Sequence, residues 1–179
     1  KRWDLVDAGR VPLMSDVGMR LAATMPPDSA GVRAAVLHND FKVDNCQFDP
    51  ADPDRVASIF DWDMATVGDP LIDLGTLLNY WPDPGDPDDD RPLHMPGLEV
   101  MGLPSRAEVV ERYAARGGVD VAAVAWYEAF ATWKTCVVLE QLYQRWVRGE
   151  STDPRMAERG EPVARLAARA ARLLDRGSD

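Results

Sequence analysis

Cysteine is almost absent from this chain: Cys46 and Cys136 are the only two, far apart and without CxxC spacing. That argues against a disulfide framework and a thiolate metal site, and both are read as free thiols of a reducing cytoplasm. Histidine is as scarce, with His38 and His94 alone, which leaves a metal-dependent hydrolase short of the ligands it would use. Basic charge is in deficit too. Twenty Lys and Arg against 30 Asp and Glu give a formal net charge of -10. No basic stripe compensates, so neither nucleic acid nor an anionic membrane is expected as partner. No apolar run nears the roughly 20 residues that span a bilayer, and no charged-then-apolar leader is visible. A cytoplasmic location is the expectation.

What is present is the profile of a folded globular domain: 179 residues, 46% hydrophobic and 28% charged, enough to bury one core. The opening "KRWDLVDAGR" has no methionine and starts within an apparent helix, so the chain reads as a fragment.

Hydrophobic spacing orders the rest. Leu13, Val17 and Leu21 predict a helix over 12–23, stopped by "MPPDSAG". "AAVLH", "NCQFD" and "VASIFDW" read as strands, the last two joined into a hairpin by the turn "PADPDR". The stripe Leu71, Leu74, Leu77, Leu78 and Trp81 predicts a core helix over 70–81. The Pro- and Asp-rich segment 82–97 reads as a solvated surface loop. Ser105 with Glu108 forms a capping-box pattern, and Gly117–Gly118 ends that helix. A long helix over 120–148 carries Trp126, Phe130, Trp133 and Val137 at core spacing, and a last helix covers 162–174. The expected fold is α+β, mostly helical, with a small β-hairpin embedded in it.

The unusual polar chemistry gathers in residues 38–73. "HNDFKVDN" packs a histidine, two aspartates, a lysine and two asparagines into His38–Asn45. In a tight loop, Asp40, Lys42 and Asn45 can converge as a proton acceptor, a cation and a neutral oxygen ligand. A hairpin brings its two ends together, so Asp61 of "IFDWD" can approach Asn45. An amide oxygen and a carboxylate suit Mg²⁺, with waters and phosphate completing the shell. A carboxylate base beside such a metal is what phosphoryl transfer requires.

These motifs carry a resemblance. "HNDFKVDN" is similar to the HxDxxxxN catalytic loop of the kinase superfamily, with Asp61 in the place of the DFG aspartate. The continuation "DWDMATVGDPLIDLG" resembles the aminoglycoside phosphotransferase family, whose members carry an HGDxxxxN loop and a following GDPxxDL segment. Within it, the details resemble the branch formed by the kinase-like domain of acyl-CoA dehydrogenase family members ten and eleven, through "GLPSRAEVVERYAARGG" and "YEAF".

The resemblance implies a kinase-like C-terminal lobe over residues 1–179, with the N-terminal nucleotide-binding lobe not represented: nothing before His38 resembles a Gly-rich loop or a strand with the nucleotide lysine. It implies ATP as phosphoryl donor and Mg²⁺ as cofactor. Asp40 would be the catalytic base, Lys42 would face the transferring phosphate, and Asn45 and Asp61 would hold the metal and through it the nucleotide. His38 would brace the loop, Asp73 would pin it, and Asp69 would cap the helix at Pro70. Asp63 stays between a second metal and the loop backbone, and Asp44 has no assigned role. Position 39 is Asn where the family usually has Gly, a change tolerable in a left-handed conformation.

The reading is a phosphotransferase acting on a small-molecule hydroxyl, with a non-catalytic kinase-like binding domain or an inactive fragment as alternatives. An aminoglycoside acceptor would call on acidic groups such as Asp86–Asp90 or Glu140. A hydroxyacyl acceptor would call on Arg91, Arg106 or Lys134.

Overall fold

The computed structural model describes residues 3, 6, 9–27, 34–84, 86–88, 91–93 and 96–177. The helix expected for the first residues falls largely outside them, as do Asp89, Asp90 and His94.

A helical bundle forms the body. Its axis is α4 (Val124–Val147), 24 residues long. Alongside lie α1 (Leu13–Ala23) and α5 (Val163–Arg176). Val163, Leu166, Ala167, Ala170, Leu173 and Leu174 recur at helical spacing on α5, and all are buried. They meet Met14, Val17 and Leu21 of α1 and Ala129, Cys136, Val137 and Leu139 of α4. The aromatic stripe of α4 is core with a polar edge. Trp126 Nε1 donates to the Leu21 carbonyl at 3.2 Å and Trp133 Nε1 to that of Met14 at 2.9 Å, so these partly buried indoles leave no donor unpaired.

On the opposite side α2 (Leu71–Asn79) packs Leu71, Leu74 and Leu78 around Tyr127. Helix α3 (Arg106–Gly117) starts on the anticipated capping box, with Ser105 and Glu108 exchanging hydrogen bonds, and ends at Gly118 in a left-handed conformation (φ 60°).

Two small antiparallel sheets accompany the helices. In one, β1 (Ala35–Leu37) pairs with β4 (Thr66–Gly68); in the other, β2 (Cys46–Asp49) pairs with β3 (Asp52–Ile59). Strand β4 has no counterpart among the sequence expectations, since three residues are too few to show a period. Strand β3 begins at Asp52, inside the segment expected to be a turn. The turn is only Pro50–Ala51, tightened by the Ala51 N–H donating to Asp49 Oδ1 at 2.9 Å and by Arg55 pairing with Asp49. Every residue of β3 is exposed, so its Asp, Pro and Arg side chains cost no desolvation.

The 82–97 loop departs from expectation at Asp86, which is not a solvated residue. Arg106 binds its carboxylate through both terminal nitrogens, and also donates to the Trp81 carbonyl at 2.9 Å. Among the described residues, no helix is long and apolar enough to cross a membrane.

Candidate active site

The catalytic-loop motif sits between β1 and β2. Asp73, one turn into α2, reaches back to it and accepts the backbone N–H groups of both His38 (2.7 Å) and Asn39 (2.7 Å). A bidentate carboxylate on two successive amides is a charge-assisted clamp. Asp69 precedes α2 and does two jobs. Its Oδ1 accepts the N–H of Leu71 at 2.9 Å, closing the helix start, and its Oδ2 accepts the Tyr127 hydroxyl at 2.6 Å.

His38 is buried and bridges the two loops. Its Nε2 lies 2.7 Å from the Phe60 carbonyl, and its Nδ1 accepts the Asp40 N–H at 3.3 Å, so each ring nitrogen faces a backbone group. The ring also packs against Trp62, with centroids 4.8 Å apart. Asp40 and Asp61, 21 positions apart in sequence, are thus tied to one imidazole through their neighbouring backbone.

Around Asp40 the polar groups converge. Lys42 Nζ is 3.1 Å from Asp40 Oδ2. Asn45 is buried and donates through Nδ2 to the Asp40 carbonyl (2.8 Å) and to Asp40 Oδ2 (3.3 Å). Lys42 also lies over the Tyr80 ring, 5.1 Å from its centroid. Burial works against the ammonium, but hydrogen bonding and charge attraction from Asp40 outweigh it, and the Lys42 pKa is raised.

With its amide nitrogen committed to Asp40, Asn45 keeps its amide oxygen for another partner. The Phe60 N–H donates to the Asn45 carbonyl at 3.0 Å, which places Asp61 immediately beyond that contact. Asp61 is exposed and left-handed (φ 64°), at the head of the 3₁₀ turn Trp62–Met64 that also carries the exposed Asp63. The hydrogen bond from this turn to the catalytic loop comes from Asn39, whose Nδ2 donates to the Met64 carbonyl at 2.8 Å. No group of three or more His, Cys, Asp or Glu among the described residues forms a metal cage. An amide oxygen and one carboxylate are nevertheless the kind of sparse set Mg²⁺ takes when phosphates and waters supply the rest.

Asp40, Lys42 and Asp44 line one wall of a cavity of about 520 Å³. Its other walls are Tyr80 and Leu93 and a stretch of α4 from Ala131 to Leu139. Of Arg91, Arg106 and Lys134, the cations read for a hydroxyacyl acceptor, Lys134 alone reaches it, and its Nζ donates to the Asn39 carbonyl at 2.5 Å. Arg106 is spent on Asp86, and Arg91 ion-pairs with Asp88 at 3.1 Å. Glu140 is buried against Arg10 (3.1 Å) and Gln144 (2.8 Å), away from the cavity. Four polar residues that sequence reasoning passed over belong to the walls: Thr76, Tyr80, Thr135 and Arg159. None sits in a recognisable motif.

A catalytic-type loop, a second aspartate from across a hairpin and a clamping helix define a lobe of kinase-like architecture. The chain belongs to the phosphotransferase enzyme family (APH), whose model matches residues 7–127. It is similar to acyl-CoA dehydrogenase family member 11 of Mus musculus, at 30% identity over 146 residues, covering 79% of this chain and 18% of that protein. To mouse acyl-CoA dehydrogenase family member 10 the identity is 24% over 172 residues, covering 93% and 16%. The fold matches the crystal structure of a protein from Ralstonia eutropha JMP134 that carries a provisional assignment as an aminoglycoside phosphotransferase. The TM-score is 0.82 at 23% identity, over 98% of this chain and 53% of that one. The chain therefore spans about a fifth of the curated relatives' length and about half of the structural match.

Proposed function

We propose that this chain is the catalytic lobe of an ATP- and Mg²⁺-dependent phosphotransferase that moves the γ-phosphate to a hydroxyl of a small molecule. The observation that carries this reading is the position of Asp40 on the cavity wall, its carboxylate between the Lys42 ammonium and the Asn45 amide. In this reading an acceptor hydroxyl approaches from the cavity side. Asp40 accepts its proton as the oxygen bonds to the γ-phosphorus and the bond to the departing ADP oxygen breaks. Lys42 offsets charge on the transferring group. Asn45, through its amide oxygen, and Asp61 would hold Mg²⁺, which when bound neutralises charge on the nucleotide phosphates.

A further lobe over the strands is part of the proposal. Phe48, Val56, Ile59, Phe60, Trp62 and Met64 are each between 36% and 46% exposed, large apolar side chains of the kind a partner lobe covers. An N-terminal nucleotide-binding lobe packed there would supply the other wall of the nucleotide site.

The cavity also weighs on the acceptor. Of the acids read for a polycation, Asp86 and Glu140 are internally paired and Asp88 pairs with Arg91, whereas Lys134 and Arg159 stand on the walls beside the apolar Leu93, Val138 and Leu139, with Asp40 and Asp44 as the acids there. That supports a hydroxyacyl compound over an aminoglycoside. The test is a panel of aminoglycosides, hydroxy acids and hydroxyacyl thioesters offered to the full-length protein with ATP and Mg²⁺. ADP release and ³¹P spectra of the products are followed. Acceptor-dependent ADP release with a new phosphoester, strongest for the hydroxyacyl compounds, is expected. ATP binding by calorimetry with no phosphorylated product from any acceptor would instead favour a kinase-like binding domain.

A further inference from the structure

Among the described residues, only two other than glycine have positive φ: Asn39 at 65° and Asp61 at 64°. Left-handed backbone costs an ordinary residue free energy and persists where its surroundings hold it there. One of these residues directly precedes Asp40. The other is the proposed metal ligand itself.

Asn39 is held at its N–H, its carbonyl and its side-chain nitrogen. Its N–H goes to Asp73 Oδ1 (2.7 Å), its carbonyl takes Lys134 Nζ (2.5 Å), and its side chain donates to the Met64 carbonyl (2.8 Å). These partners lie on α2, on α4 and on the turn that follows Asp61. The neighbouring His38 meets the Phe60 carbonyl at 2.7 Å, on the other side of Asp61. Two consecutive residues of the catalytic loop thus grip the Asp61 segment from both ends, at Phe60 and at Met64. A glycine at position 39 would adopt the same backbone without strain but would make only the first grip possible, because it has no side chain to reach Met64.

We propose that Asn39 is a positioning residue whose carboxamide fixes the spacing between the Asp40 loop and the Asp61 loop. The inference rests on the phosphotransferase reading for its consequence in catalysis, while the clamp itself is a property of the backbone. Asn39 substitutes an enthalpic tie for the conformational ease of glycine, and the tie is directed at the loop that holds the metal ligand.

The experiment compares the native full-length protein with Asn39→Gly and Asn39→Asp. The glycine keeps the left-handed backbone and loses the side-chain bond; the aspartate keeps size and left-handed tolerance but turns an oxygen toward the Met64 carbonyl. Hydrogen–deuterium exchange should rise about tenfold across residues 62–66 in both variants with the α4 amides unchanged, a rise of the size expected when one such hydrogen bond is lost. With ATP and a turned-over acceptor, kcat should fall about fivefold and the half-activating Mg²⁺ concentration rise about fivefold. Exchange within twofold of native in Asn39→Gly would overturn the clamp, as would native behaviour of Asn39→Asp. A native protein that shows the exchange difference but never turns over ATP would support the clamp and overturn the phosphotransferase reading instead.

Discussion

The Cβ that Gly75 lacks would fall 2.5 Å from the carbonyl carbon and oxygen of Tyr127. This close approach lets α2 lie against α4, and two functional ties depend on it: the Tyr127 hydroxyl on Asp69, and Asp73 under the catalytic loop. Gly75→Ala should therefore do more than crowd the core. Overpacking of this kind costs about 1–3 kcal/mol, and the backbone contact leaves no flexible side chain to yield, so the upper end is expected. Urea denaturation should show the loss, and kcat should fall with it as Asp73 withdraws from His38 and Asn39. Stability and turnover both at native levels would mean that the helix contact is not what sets the loop.

A second prediction concerns a buried ion pair. Arg169 of α5 is 2% exposed, donates to Glu128 and to Thr132 Oγ1 (2.9 Å), and lies 3.5 Å from Asn79 Oδ1. Arg106 Nε approaches the same Glu128 at 3.9 Å. Burial lowers the Arg169 pKa, yet the guanidinium stays charged beside its carboxylate. Removing one partner strands the other, a loss of about 3–5 kcal/mol for pairs of this kind. Arg169→Met should be destabilised by that order in equilibrium unfolding, and adding Glu128→Gln should recover part of the loss. A single variant as stable as the native protein would show the pair to be dispensable.

Cys136 is fully buried, and desolvation pushes its thiol up to about 12 from 9.0. The unfolded chain then loses this proton before the folded one does as pH rises. The contribution is fully present below pH 9 and disappears as pH climbs from about 9 towards 12, which destabilises the native state in that window. The native protein should lose more stability between pH 8 and pH 11 than Cys136→Ala does, and a thiol reagent at pH 8 should label Cys136 only after denaturation. Equal pH slopes for the two proteins would contradict this.

How much of this was legible from residues alone varies with the range of the interaction. The capping box at Ser105–Glu108, the stripe on α2 and the aromatic spacing of α4 are local patterns, and each element forms where its pattern predicts, with ends shifted by a few residues. The hairpin that carries the Asp61 segment back to Asn45 was legible from its turn chemistry, but β4 was not, because Thr66–Gly68 is a strand only through its pairing with β1. Charge partners escaped reading altogether. Asp86 lies in a Pro- and Asp-rich stretch that looks solvated, and its burial depends on Arg106, 20 positions on. Arg169 and Glu128 are 41 positions apart on two different helices. Nothing in the local sequence of either announces the other. Asn39 is a middle case: the departure from glycine was visible, while its bond to Met64 required the fold.

The account turns on Asp40, which lines the cavity, pairs with Lys42 at 3.1 Å and accepts the Asn45 amide at 3.3 Å. The most direct test is Asp40→Ala in the full-length protein, with ATP, Mg²⁺ and an accepted substrate, measured as phosphorylated product formed. Loss of a general base of this kind lowers kcat by about 10²–10⁴, and circular dichroism and thermal unfolding should stay close to native. Turnover near the native rate in a folded Asp40→Ala protein would contradict the account.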